Sequence, residues 1–516
     1  MLLKLNLSDS ERIGVFLNEA ILPAPFFADR PKALRHVWQS LFSVKARIYG
    51  LFTQNKLTAL MIFKKQTNDL HLENLLFSRY STPDKKNIQQ AFFMIGQKEF
   101  VQTIYFGLSE QLFGAKLAIP KVKTALVLGG GGARGAYQVG AMQAFLGAGF
   151  TFDLICGTSV GGLNGALFLN GDIDQAIQLW ETIETGKILA FEQPVDSARF
   201  KREFLKTALR EAGISSAPLK KLILDYSNVD LIQKNTCPLY IVTIQVPSFK
   251  EVVVDMQKVP PEEFADWLVA SASFFPGMAV AEIAGEFYMD GGYKNNLPQD
   301  VAVAHGAKRL VSIDAKGPGM IKKISHRLPE LMVKSPWALG EVLSFTAQTA
   351  QENLQLGFLE TQKLLQQAQG YWYTFTNESL QQQLKLSRRF LQQKKINITP
   401  GIYRSLTHFY GQNVTPANLG LALLETLGRF WQVSPAVLYT LPEFCQKLRQ
   451  QALKNQENPF VPRLKWETNN PSLLLQRRQL TRHFHGEKNV TLHRGALKIF
   501  QQFVEFLQEE ENGNPI

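Results

Sequence analysis

Between residues 124 and 316, short continuous apolar runs alternate with longer stretches whose apolar positions recur at helical spacing. The runs TALVLG (from Thr124), FDLICG (from Phe152), PLYIVTIQV (from Pro238), KEVVVDM (from Lys250) and KRLVSIDAK (from Lys308) predict strands. A run that is apolar at nearly every position has no water-facing side, as in a strand covered on both faces. The stretches AYQVGAMQAFLGAG, IDQAIQLWETI, SARFKREFLKTALREAG and PPEEFADWLVASAS predict helices between them. Strand and helix in alternation predict an α/β core with a largely parallel sheet under helices on both faces. KEVVVDM is expected to run antiparallel to PLYIVTIQV across the turn Pro247–Phe249.

Residues 1–120 predict a separate, small mixed α/β domain. Ala46–Lys65 reads as two strands joined near Gln54 and Asn55, with DLHLENLLFS as a third, NIQQAFFMIGQKEF as a helix and VQTIYFGL as a strand. This order loosely resembles part of an acetyltransferase fold. It lacks that fold's glycine-rich pyrophosphate loop between strand and helix, so an accessory or interaction role is expected. Leu117–Lys123, with Pro120, is the expected linker, and the α/β core is expected over 121–320. Beyond Met320 the strand signal fades into Gln-rich helical patterns such as ESLQQQLKLSRRFLQQKK and RGALKIFQQFVEFLQEEE. Residues 321–516 are therefore expected to be mainly helical. In the last segment Leu497, Phe500, Phe503, Val504 and Leu507 form an apolar stripe, expected to face a core, with a membrane or partner face as the alternative.

The 516 residues with 45% hydrophobic content are enough for several cores. The N-terminus MLLKLNLSDSERIG meets acidic residues at once and lacks the layout of a secretory signal, and no apolar run is long enough to span a bilayer. The expected location is cytoplasmic, with peripheral membrane contact as an option. Cys156, Cys237 and Cys445 lie far apart, at neither disulfide nor metal-ligand spacing, and are expected to be small buried residues. The net charge of +12 is concentrated late: from Ile321 onward there are 23 Lys and Arg against 14 Asp and Glu. Such a region favours anionic surfaces. The charges are scattered among Gln and Asn rather than massed, so no nucleic-acid partner is expected.

The chemistry is concentrated in Thr124–Leu169. Gly157, Thr158, Ser159, Val160 and Gly161 form G-x-S-x-G between a strand and a helix, the setting of a nucleophile elbow. Upstream, Gly129–Gly135 reads GGGGARG, also between strand and helix. Successive small residues there can turn backbone N–H groups inward, as an oxyanion requires. Gly131 and Gly132 are the expected donors, within an oxyanion loop that includes Gly130 and Arg134. Gly130, Gly132 and Gly135 also satisfy the dinucleotide fingerprint G-x-G-x-x-G. That reading needs an acid at the end of the second strand, whereas Asp153 stands at its beginning and the strand ends in Gly157 and Thr158.

The nucleophile needs a base. His36 and His71 lie in the N-terminal domain, His326 beyond the core, and His305 in an expected helix, AVAHGAKRL. Asp290, in YMDGGYKNNLP, ends a short strand and is followed by Gly291 and Gly292, which allow its carboxylate to approach another backbone. These motifs together resemble the patatin-like phospholipases: GGGARG (130–135), GTSVG (157–161) and DGG (290–292) match that family's oxyanion loop, nucleophile elbow and catalytic aspartate. ASASFFPG (270–277) matches the segment preceding the aspartate. Gly129 is an additional glycine before the usual three. The resemblance covers roughly 123–316. It implies a patatin-like three-layer α/β/α core and a lipid acyl hydrolase of phospholipase A type, with a Ser159–Asp290 dyad and neither histidine nor metal or other cofactor. The expected substrate is a phospholipid or another acyl-ester lipid, with Phe274, Phe275 and Met278 as candidate groove residues. Two alternatives stay open: a hydrolase of soluble esters or thioesters using a Ser/His/Asp triad through His305, and a catalytically silent membrane- or partner-binding protein.

Overall fold

A computed structural model describes residues 1–6, 9–23, 26–27, 29–41, 43, 46–66, 68–107, 110–191, 204, 206–325, 328–377, 379–396, 398–416, 418–454, 498–500 and 502–507. The chain divides into two compact units, Lys121–Leu365 and a second comprising Met1–Pro120 with Gln366–Ile516.

In the second unit, the N-terminal stretch builds a sheet from β1 (Leu2–Leu5), β2 (Ala20–Ile21), β3 (Ala46–Thr53), β4 (Lys56–Gln66), β5 (Asp69–Ser78), β6 (Thr103–Tyr105) and β7 (Lys116–Ala118), in the order β1-β3-β4-β5-β6-β7 with β2 also on β5. The β3–β4 hairpin turns at Gln54 and Asn55, both at positive φ (49° and 64°), a geometry whose twist matches that of the flanking strands. Glu99, after the helix Lys85–Lys98, is buried among cations. It accepts from Lys4 Nζ (2.7 Å), Tyr49 Oη (2.6 Å) and Arg47 Nε (3.0 Å). The C-terminal stretch contributes the helices Ser379–Gln393, Pro400–Tyr410, Leu419–Phe430 and Leu441–Lys454, with two short paired strands, β16 (Thr374–Phe375) and β17 (Leu438–Tyr439). Of the final stripe, Leu497 lies outside the described residues, while Phe500, Phe503, Val504 and Leu507 are buried. That face belongs to a core.

The unit Lys121–Leu365 has an α/β fold. Its strands are β8 (Thr124–Leu128), β9 (Leu154–Thr158), β10 (Leu239–Val246), β11 (Lys250–Asp255), β12 (Ala281–Ile283), β13 (Glu286–Asp290), β14 (Arg309–Asp314) and β15 (Glu330–Lys334). They are ordered β12-β13-β10-β9-β8-β14-β15, with β11 also on β10. The stretch from β10 to β15 is parallel; β11 and β13 run antiparallel to β10.

Side chains alternate between the faces of a strand. Ala125, Val127, Leu154, Cys156 and Val242 pack in one cluster with Val301 and Ala302 of the helix Gln299–Ala304. Their neighbours Leu128, Ile155 and Ile241 meet Gly162 and Gly165 of the helix Val160–Leu169. Helices thus cover both faces, giving the three-layer core. The predicted helix SARFKREFLKTALREAG falls largely outside the described residues. The expected limit at residue 320 falls short of this unit: β15 pairs with β14, and the helix Ala347–Leu364 packs on the helix Ala136–Gly147. Among the described residues no helix is long and apolar enough to cross a membrane.

Candidate active site

The sheet register brings two distant parts of the chain together. β10 pairs in parallel with β9, with Val242 opposite Thr158, and antiparallel with β13, with Thr243 opposite Asp290. The residue that follows β9 and the residue that ends β13 therefore reach the same edge at nearly the same height, from opposite sides of β10. These are Ser159 and Asp290.

Ser159 leaves β9 at φ 56° and ψ −127° before the helix Val160–Leu169 begins. A non-glycine residue there carries strain of order 1–3 kcal/mol, and the surrounding structure must hold it. A Cβ on Gly161 would lie 2.1 Å from the Leu128 carbonyl oxygen, and one on Gly157 2.5 Å from the Gly161 backbone. The turn closes only with glycine on both sides. Ser159 N–H donates to Ser271 Oγ (3.0 Å), which donates to the Val242 carbonyl (2.7 Å). The ASAS segment thereby ties the elbow to β10.

Asp290 is buried. Its Oδ1 accepts the Gly292 N–H (2.7 Å), and Ser159 lines the same cavity beside it. Burial pushes the carboxyl up to about 6, and the neighbouring Ser159 side chain and the Gly292 N–H restrain that rise. Gly291 packs against the backbone of Val242 and so holds the turn to β10.

The glycine-rich loop follows β8. Gly132, at φ 55°, passes so close to the 342 backbone that a Cβ would lie 2.1 Å from the Val342 carbonyl oxygen. The N–H groups of Gly131 and Gly132 meet no acceptor among the described residues, and both glycines line the cavity beside Ser159. Gly130 differs from expectation: its N–H is spent on the Asn296 carbonyl (2.9 Å), so it fixes the loop rather than donating into the site.

The cavity encloses about 940 Å³ of space, part of it open to solvent. Ser159, Asp290 and the glycines form its polar end. Leu163, Leu167, Leu179, Ile188, Ile223 and Phe345 are among the apolar side chains around the rest. Of the expected groove residues, Phe274 and Met278 line it, while Phe275 faces solvent.

A family model described as patatin-like phospholipase matches residues 126–303, a span containing both Ser159 and Asp290. Residues 126–303 form a patatin-like phospholipase domain. Similar proteins include patatin-like phospholipase domain-containing protein 7 of Rattus norvegicus, 32% identical over 202 residues, which are 37% of this chain and 13% of that protein. Neuropathy target esterase sws of Drosophila melanogaster is 29% identical over 196 residues, 37% of this chain and 12% of that protein. Lysophospholipase nte1 of Aspergillus terreus is 60% identical over 43 residues, 8% of this chain and 3% of that protein. The chain thus spans about an eighth of the length of the first two. Among solved structures, VipD from Legionella pneumophila aligns with a TM-score of 0.32 and 13% identity, over 76% of this chain and 92% of that one, a likeness too weak to bear on the fold.

Within the patatin-like domain the Arg134 guanidinium is committed to backbone carbonyls. Its Nε donates to the Gly340 carbonyl (2.8 Å), and a second guanidinium nitrogen donates to the Lys316 carbonyl. Arg134 is therefore a brace that ties the glycine loop to two later segments. Arg134→Ala is expected to lower kcat for ester hydrolysis by about 10²-fold, because the loop's donors lose their fixed aim. The accompanying stability loss is expected to be about 1–3 kcal/mol. Steady-state kinetics beside a denaturation curve checks this, and unchanged kcat would remove the brace from the catalytic account. His305 lies off the cavity, its Nδ1 on the Val301 carbonyl (2.9 Å) and its ring against Tyr240. Cys156 and Cys237 are buried in the domain, and burial pushes both thiols up, Cys237 to about 12. Neither is poised as a nucleophile.

Sequence reasoning missed Asn296 and Ser271. Asn296 accepts from Gly130 and reaches the Gly317 carbonyl with Nδ2 (3.3 Å), while Ser271 holds the elbow. Both stand in or beside motifs already noted, but side-chain bonds across such distances leave no periodic signal.

Proposed function

We propose that the patatin-like domain hydrolyses carboxylic esters of lipids, with phospholipase A-type cleavage, through a covalent intermediate on Ser159. The reading rests on one observation above all: Ser159, at a strained strand-to-helix turn, and the buried carboxyl-bearing Asp290 line the same largely apolar cavity. In the first half-reaction Asp290 takes the Oγ proton as Oγ bonds to the acyl carbon. The carbonyl electrons move onto oxygen, facing the N–H groups of Gly131 and Gly132. Collapse breaks the ester C–O bond, and Asp290 returns its proton to the departing alcohol. In the second half, Asp290 takes a proton from water, hydroxide adds to the acyl carbon, and the fatty acid leaves as Ser159 regains its proton.

A base near 6 sets the pH dependence. The rate on an acyl ester is expected to rise with pH through about 6 and level off above it, because the carboxylate must be ionised to accept the proton. Fluorophosphonate labelling of the native chain, absent in Ser159→Ala, identifies the nucleophile. Labelling retained in Ser159→Ala, or a rate flat from pH 5 to 8, would count against the dyad.

A further inference from the structure

In two stretches of the chain, apolar side chains that line the cavity are followed within a few residues by apolar side chains that face water. Phe274 lines the cavity and Phe275 is 39% exposed; Met278 lines it and Val280 is 37% exposed. Pro318 lines it, and Met320 and Ile321 are 58% and 47% exposed. Hydrogen bonds tie these stretches to the turn that carries Asp290. Tyr293 Oη donates to the Phe275 carbonyl, Met320 N–H donates to the Gly292 carbonyl (3.1 Å), and Asn296 N–H donates to the Met320 carbonyl (2.6 Å). Lys294 and Lys323 stand in the same turn and beside the same strip. Lys322, next to Lys323 in the chain, is spent on Glu251 (2.6 Å) and Asp300 (3.5 Å), whereas Lys294 and Lys323 have no ion-pair partner among the described residues. Exposed apolar side chains and two cations without ion-pair partners among the described residues thus stand beside cavity-lining stretches, and we call this strip the rim.

We propose that this rim docks on a lipid bilayer bearing anionic headgroups, with Phe275, Val280, Met320 and Ile321 entering the interface and Lys294 and Lys323 meeting headgroup phosphates. The proposal rests on the reading of the cavity as a lipid site. Drawing an acyl chain through water costs about 0.8 kcal/mol per methylene, so a mouth flush with the bilayer removes most of that cost. Each exposed rim side chain follows a cavity-lining residue by no more than three positions, which would give the chain a short path toward Ser159. The two lysines complement anionic lipid and would disfavour a neutral apolar partner.

The test uses the full chain carrying Ser159→Ala, so that lipid is not consumed, and vesicles of phosphatidylcholine with or without phosphatidylglycerol. Co-sedimentation is expected with the mixed vesicles and weaker with phosphatidylcholine alone. Adding Val280→Glu and Ile321→Glu is expected to lower the bound fraction about tenfold. In the otherwise native chain the same pair should leave hydrolysis of a water-soluble short-chain ester within about twofold, since neither side chain lines the cavity. Equal binding with and without the two glutamates overturns the proposal. So does absence of vesicle binding, including the case in which the substitutions change only self-association and assign the rim to a second copy of the chain. If the native chain fails to cleave any ester, the hydrolase reading falls in a separate assay, while vesicle binding still decides the rim.

Discussion

Asp290→Asn is expected to reduce ester hydrolysis by about 10⁴-fold and, at pH 8, to make the patatin-like unit more stable than the native one. The two effects share a cause. Burial lifts the Asp290 carboxyl from 3.8 to about 6, so the folded state binds this proton more tightly than the unfolded chain does. A group shifted upward in this way contributes stability that is complete below pH 4 and is lost as pH rises through about 6. Above that, the ionised carboxylate costs roughly 3 kcal/mol relative to an unperturbed one. Asparagine carries no charge, and its Oδ1 can still accept the Gly292 N–H. Denaturation curves should therefore separate variant from native chain at pH 8 by up to about 3 kcal/mol and converge near pH 4. An Asp290→Asn chain both inactive and destabilised at pH 8 would mean that the aspartate is structural, and the base would have to be sought elsewhere.

Much of this site was legible in the sequence because each motif must obey a local steric rule. The elbow needs glycine where Gly161 meets the Leu128 carbonyl, and the loop needs it where Gly132 turns through positive φ. Continuous apolar runs likewise marked β8, β9, β10 and β14, and the hairpin to β11 was legible from its turn. What escaped lies in contacts between elements. The helix Ala347–Leu364 was not foreseen as part of the core unit, because its sequence is polar on much of its surface. Its seat is made by small residues: a Cβ on Gly140 would lie 1.8 Å from the Leu354 carbonyl oxygen, and one on Gly357 2.0 Å from that of Tyr137. Apolar periodicity reports that a face is buried, not which backbone it meets. Arg134 illustrates the same limit: its place in the motif suggested the oxyanion, while the carbonyls it holds belong to residues 316 and 340.

Glu99→Gln is expected to destabilise the N-terminal sheet by roughly 3–5 kcal/mol, because it leaves buried cations without their counter-charge. Glu99 is 7% exposed and Arg47 4%, and Lys65 Nζ also lies 3.6 Å from the carboxylate. Lys4 is different: its side chain is 43% exposed, so Lys4→Ala should cost no more than about 1 kcal/mol. Burial alone would push the Glu99 carboxyl up, but Lys4, Arg47 and Lys65 outweigh it and hold it near 2. A carboxyl lowered in this way contributes stability that is present above 4.5 and is lost as pH falls through about 2. Native chain and Glu99→Gln should therefore differ by about 10 °C in the melting of this sheet at pH 7, and by less at pH 3. Calorimetry at both values decides it, and matching transitions at pH 7 would dismiss the cluster as a stabilising device. Asp290 and Glu99 thus pull in opposite directions on either side of pH 4. Near pH 8 the sheet has its full ionic support, while the patatin-like unit carries the cost of the ionised carboxylate that its proposed chemistry needs.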